Sequence, residues 1–240
     1  MNIEALIITL LAGLSTCLGY FVIYIKGEEG NIIASSLSLT VGVMISLSLI
    51  ELMPTALLYL KSSFYSVFSY IFWILFFIIG LLISISSDIF KHQNQLYRLG
   101  IISFFILILH NIPEGLLTYI SSNFDLESGI LLGFSIALHN IPEGITLSIP
   151  IYYSTKSKLK TFILIFVLSL SELSGAFIGH LCIKNISNDI IGIIYAIISG
   201  LMVGICYFEL IPEIKCYQYS KSKIFVFIGI LIIFITHLLF

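Results

Sequence analysis

Two identical hexapeptides carry the chemistry. His110-Asn111-Ile112-Pro113-Glu114-Gly115 is repeated letter for letter, 29 positions on, as His139-Asn140-Ile141-Pro142-Glu143-Gly144. On a helix, residues four apart share one face about 6 Å apart along the axis. The histidine and glutamate of each motif therefore align, and the asparagine, three before the glutamate, borders the same face. Each motif offers an imidazole nitrogen, an amide oxygen and a carboxylate to one point. A third acid, Glu172, is flanked by Ser169, Ser171 and Ser174 in another apolar stretch. Three carboxylates with two neutral imidazoles need a cation, and no Lys or Arg lies at their level. Mixed nitrogen and oxygen donors suit Zn²⁺, Fe²⁺, Mn²⁺ or Co²⁺ better than Ca²⁺ or Mg²⁺, which take oxygen. The plainer reading is that protonated glutamates and histidines only hydrogen-bond neighbouring helices; an exact duplication joined by Glu172 speaks against it. His180 and His237 are single and carry no motif, so packing is their reading, and His92 falls in a polar connection.

The elements that must position these groups are membrane helices. The 240 residues are 59% hydrophobic and 10% charged, whereas a water-soluble domain keeps roughly 25% charged residues. A spanning helix needs about 20 mostly apolar residues, and such runs lie at 5–25, 32–53, 67–87, 99–120, 128–151, 160–183, 189–211 and 223–240. The expectation is an all-α integral membrane protein of eight transmembrane helices, a single transmembrane domain over 1–240. Nine of the 11 Lys and Arg fall on one set of alternate connections, at Lys26, Lys91, Arg98, Lys156, Lys158, Lys160, Lys215, Lys221 and Lys223. Only Lys61 and Lys184 fall on the other. Basic connections stay in the cytoplasm, so both termini are expected outside it.

Charge and cysteine usage close off other classes. The net charge of −2, with no basic stripe, argues against a nucleic-acid partner. Cys17, Cys182, Cys206 and Cys216 are far apart and form no CxxC pair. The first residues lack the basic region of a signal peptide, so the first apolar run is expected to remain as a helix.

His110, His139 and Glu172 each fall near the middle of an apolar run, where an ionisable group is costly and by default functional. Pro113 and Pro142 lack an N–H and press on the carbonyls of Leu109 and Leu138, which predicts a kink in each helix. A weaker repeat joins the second and seventh runs. Gly42-Val43-Met44 precedes Glu51-Leu52-Met53-Pro54, as Gly200-Leu201-Met202 precedes Glu209-Leu210-Ile211-Pro212 at the same offsets. The charge asymmetry makes these runs antiparallel across the membrane, an inverted repeat of the kind that supports alternating access. Glu51 is then expected at the outer mouth and Glu209 at the inner one. Met44 and Met202 fall near mid-depth, where plain packing is their reading. The small-residue spacings Gly129/Gly133, Gly175/Gly179 and Gly200/Gly204 predict close helix contacts.

Together the twin HNIPEG motifs, GVMISLSLIELMP, LSLSELSGAFIG and SGLMVGICYFELIP resemble the ZIP (Zrt/Irt-like) metal transporters, above all their compact bacterial members. The resemblance covers nearly the whole chain. It implies the eight-helix fold with both termini outside and a two-metal site within the bundle. One metal would be held by His110, Glu114, His139 and Glu143. The second would use Asn111, Asn140 and Glu172, with Glu114 and Glu143 bridging, and Met44 takes a position that reaches the first metal in relatives. It further implies uptake of Zn²⁺, with Fe²⁺, Mn²⁺, Co²⁺ and Cd²⁺ as other cargo, no prosthetic group, a homodimer and an elevator-like motion. The brevity of the chain and its lack of a targeting extension point to a prokaryotic plasma (inner) membrane. The His-rich third connection of many relatives is missing here, where 88–98 has only His92.

Rival classes fare worse. A metalloprotease would place its glutamate beside the first histidine, as HExxH, and here that residue is Asn. A carrier of organic anions would need cationic groups at depth. A selective metal channel with the same ligands stays open as an alternative to an alternating-access carrier.

Overall fold

The computed structural model describes residues 2–85, 94–182 and 187–239. Lys91, His92 and Lys184 lie outside them. Eight helices occur among the described residues. Seven are long and apolar enough to cross a membrane: α1 (Ile3–Tyr24), α2 (Glu29–Ser63), α3 (Ser66–Ser84), α4 (Gln95–Phe124), α5 (Leu126–Thr155), α6 (Lys158–Leu181) and α7 (Asn188–Cys216). The shorter apolar helix α8 covers Ser222–Leu238.

Polar caps fix where the helices begin. The Asn94 side chain accepts from the N–H of Tyr97, Asp125 from Ser128 and Ser157 from Lys160, each satisfying an N-terminal donor that the helix itself cannot. The Ser128 hydroxyl and backbone N–H also hold the Asp125 carboxyl below the usual aspartate range. α4 and α5 each run to 30 residues, longer than the apolar runs at 99–120 and 128–151. At 1.5 Å per residue they reach about 45 Å, so their polar ends extend past the hydrocarbon that hydropathy detects. Both stay helical through their prolines, Pro113 in α4 and Pro142 and Pro150 in α5, although each ring removes one backbone donor; a membrane helix tolerates the lost bond when neighbours satisfy the freed carbonyl.

Besides a one-residue turn at Leu170 in α6, three stretches among the described residues depart from α geometry. α1 tightens to a 3₁₀-helix at Ser15–Tyr24. α2 widens to a π-helical turn at Leu47–Leu52, and α7 does the same at Cys206–Leu210. Each π turn lies just before Pro54 or Pro212, whose ring crowds the carbonyl four residues back. A wider turn takes up that crowding, and such turns gather at functional sites.

The helices group into two four-helix bodies, α1 with α4, α5 and α6, and α2 with α3, α7 and α8. Glycine brings backbones together within each. A Cβ at Gly115 would strike the backbone of Glu172, and one at Gly175 the carbonyl of Ile112, so α4 and α6 meet main chain to main chain. In the second body Gly80 meets Ile197 while Gly200 meets Phe77, and Gly42 meets Gly229. Across the seam between the bodies the contacts are side chains. Leu99, Ile102, Ile106 and Ile149 pack with Leu37, Val41, Met202 and Ile205, and the hydroxyls of Thr40 and Thr146 lie 2.8 Å apart.

Candidate metal centre

α4 and α5 are joined through Asp125 alone, so they lie antiparallel as neighbours and bring their motifs face to face. His110, Asn111, His139, Asn140 and Glu172 are fully buried, Glu143 is 1% exposed and Glu114 4%. Glu114 lies at the centre: its Oε1 is 3.1 Å from His139 Nε2 and 3.2 Å from His110 Nε2. His110 Nε2 is also 3.3 Å from Glu143 Oε1. Asn111, with its amide nitrogen turned toward acceptors, donates to Leu107 O at 2.7 Å and to Glu143 Oε2 at 3.2 Å.

Glu172 completes the group from α6. The Asn140 amide donates to Glu172 Oε1, and also to the carbonyl of Ala12 at 3.0 Å. Gly13 of α1 lies against the Glu172 side chain, its missing Cβ leaving that carboxylate room. Close to the second motif, Gly144 and Gly19 bring α5 and the 3₁₀ stretch of α1 into backbone contact. All seven polar residues therefore stand on one body, with α1 as their backing.

The donor chemistry suits a divalent transition metal. Among the described residues, Glu114 Oε2, Glu143 Oε1, Glu172 Oε2, Asn140 Oδ1 and both His110 nitrogens make no hydrogen bond. His110 Nε2 is thus near two carboxylates yet misaligned for hydrogen bonding to either. Ligands on a tetrahedral Zn²⁺ at 2.0–2.2 Å stand about 3.3–3.5 Å from one another, which is close to the 3.1–3.3 Å nitrogen–oxygen separations here. No three His, Cys, Asp or Glu side chains among the described residues enclose one point as a finished cage; the arrangement is a chain of ligand pairs linked through Glu114 and His110. No Lys or Arg of the described residues pairs with the three glutamates. A charge held in the membrane without a partner costs about 2.5–3.5 kcal/mol or more, and a bound cation offsets that cost.

The remaining candidates occupy other places. Met44, 1% exposed, and Met202, fully buried, belong to the apolar core. Glu209 accepts from Arg98 Nη2 at 2.7 Å. Hydropathy leaves Arg98 in a connection; the structure has it in the first turn of α4, where it binds the other body. Glu51 lines a cavity of about 110 Å³ that reaches Glu114, Thr55 and Tyr195. His180 Nδ1 is 3.1 Å from the Tyr119 hydroxyl, a packing role. Sequence reasoning missed Ala12 and Gly13, since small apolar residues carry no signal, and it left His237 as packing although it lines a cleft with Glu51.

Comparison with known proteins adds a family likeness. A family model described as ZIP zinc transporter matches residues 84–237. The zinc transporter ZupT of Streptococcus mutans is 36% identical over 256 residues, covering 98% of this chain and 97% of its own. Zinc transporters ZupT of Campylobacter jejuni and Clostridium perfringens are each 34% identical, covering 92% and 98% of this chain and 90% and 95% of theirs.

Proposed function

The chain belongs to the ZIP zinc transporter family, and from that membership we propose that it takes Zn²⁺ into the cytoplasm through the His–Glu cluster of α4, α5 and α6. It is a multi-pass membrane transporter of divalent metal and not an enzyme. The proposal extends to two metal positions. His110, Glu114, His139 and Glu143 hold the first; Asn111, Asn140 and Glu172 hold the second, bridged by Glu114 and Glu143. It includes eight spans in one transmembrane domain with both termini outside, Fe²⁺, Mn²⁺, Co²⁺ and Cd²⁺ as further cargo, and no prosthetic group. Assembly as a homodimer rests on the family resemblance.

The observation that carries this reading is the burial of two repeated motifs in contact, with several donor atoms unbonded and no cationic side chain among them. A carrier is favoured over a channel by the seam. The cavity reaching Glu114 lies on the Glu51 side, while the Arg98–Glu209 pair joins the two bodies toward the basic end. Purified protein in liposomes tests both points. Zn²⁺ uptake that saturates and is accelerated by unlabelled Zn²⁺ on the far side is the expected result. Uptake no faster than in empty liposomes would overturn the transport reading, and linear uptake without counterflow would overturn the carrier.

A further inference from the structure

Glu51 is shared by two spaces. Besides the cavity that ends at Glu114, it lines a wider cleft of about 360 Å³ with His237 of α8 and Ser128 and Ser135 of α5. The pairing of Glu51 with His237 follows from how α2 and α8 cross. A Cβ at Gly42 would press on Val226 and Gly229, and one at Gly229 on Leu39 and Val43, so the two backbones are locked at that level. Glu51 lies nine residues beyond Gly42, and His237 eight beyond Gly229. At 1.5 Å per residue both stand about 12–14 Å above the crossing. Parallel helices thus carry a carboxylate and an imidazole to one height in the lining of one cleft.

The surroundings suit an arriving ion. His237 lines the cleft itself, so a cation entering the cleft meets its side chain. The Ser128 hydroxyl donates its proton to Asp125, which leaves its oxygen lone pairs free to accept from metal-bound water. One imidazole nitrogen and one carboxylate favour Zn²⁺ and its transition-metal neighbours over Ca²⁺, which prefers oxygen alone.

We propose that Glu51 and His237 form an outer capture site for a hydrated divalent transition metal, which Glu51 then passes along the inner cavity toward Glu114. The proposal rests on the reading of the His–Glu cluster as the transport site. It adds a separate binding position on the other helical body, one that stays with α2 and α8.

The test separates the two sites by removing the deeper one. Full-length protein carrying Glu114→Ala and Glu143→Ala is titrated with Zn²⁺ under equilibrium dialysis, with Co²⁺ absorption reporting an imidazole ligand. The expected result is residual binding whose affinity falls about tenfold or more on adding His237→Gln, the scale set by losing a group that supports a metal. In the otherwise intact transporter, His237→Gln and Glu51→Gln should each raise the half-saturating external Zn²⁺ severalfold. A Glu114→Ala, Glu143→Ala protein that binds no metal, or binds equally with and without His237, overturns the capture site. Should that protein still transport Zn²⁺ at the normal rate, the deeper site falls instead.

Discussion

Glu51 and Glu209 occupy matching positions, each on a π-helical turn three residues before a proline, yet only Glu209 is closed off by an arginine. Glu51 lines two spaces, and Glu209 is held at 2.7 Å by Arg98 from the other body. A second pair, Lys156 Nζ to Glu29 at 2.8 Å, ties the same two bodies at the same end. It is exposed, and exposed pairs contribute little, about 0–1 kcal/mol, so Arg98–Glu209 is the tie that matters.

Breaking that tie should open the basic end. Cys206, fully buried in the π turn beside Glu209, reports the opening in a background with Cys17, Cys182 and Cys216 replaced. Arg98→Gln should speed its reaction with a thiol reagent about threefold or more, as a locally loosened contact opens more often. An unchanged rate would show that the pair does not hold the bodies closed.

Loss of either shared carboxylate should stop transport without unfolding the protein. Glu114→Ala or Glu143→Ala relieves a crowded group of acids, so thermal stability should hold or rise while Zn²⁺ uptake drops to background. Uptake above half of the wild-type rate in both variants, at equal reconstitution, would be incompatible with a common site.

Glu172 and the asparagines should set preference more than rate. Glu172→Ala frees Asn140 from its acceptor on α6 but leaves the Ala12 carbonyl to hold it. The ratio of Fe²⁺ to Zn²⁺ uptake is expected to shift more than the Zn²⁺ rate itself. Equal losses for both ions would count against a second metal position.

Protons should compete with the metal. Imidazoles bind metal only when neutral and carboxylates only when ionised, so acid works against both kinds of ligand. Apparent Zn²⁺ affinity should weaken as external pH drops from about 7 to about 5, around the unperturbed imidazole value near 6.5. Titration of the half-saturating Zn²⁺ against pH checks this, and a flat profile would remove His110 and His139 from the ligand set.

A methyl group at Gly115 should be felt both in stability and at the site. Its Cβ would meet the Glu172 backbone, so Gly115→Ala must part α4 from α6, at about 1–3 kcal/mol for an overpacked contact. Thermal unfolding should start lower, and Zn²⁺ affinity should fall with the displaced carboxylate. Normal values of both would mean that the backbone contact is dispensable.

How much was readable beforehand depends on the kind of signal. Apolar runs reveal membrane helices because a spanning helix must be nonpolar over most of its length, and the HNIPEG duplication reveals its own residues. The extra turns of α4 and α5 are polar and escape a hydropathy reading. Pro54 and Pro212 are visible, but the π turns that accommodate them are not, since sequence records the obstacle and not the backbone's response. Arg98 and Glu209 are 111 residues apart, and no local pattern announces such a partner. His237 is a lone histidine in an apolar helix; the cleft they line together and the shared height above the Gly42–Gly229 crossing link it to Glu51.

The placement of glycine also bears on how such a chain can diverge. The close backbone approaches at Gly115, Gly175, Gly144 and Gly19 lie inside one body, and those at Gly42, Gly229, Gly80 and Gly200 inside the other. Inside a body, any side chain at these positions collides with main chain, so inherited variation there is confined to glycine. Along the seam, Leu, Ile, Val and Met meet one another, and volume lost on one side can be regained by a larger neighbour opposite. Descendants of one ancestor should therefore hold these glycines fixed while the seam drifts among aliphatic residues, and the packing between the two bodies can be retuned by ordinary mutation without touching the ligands.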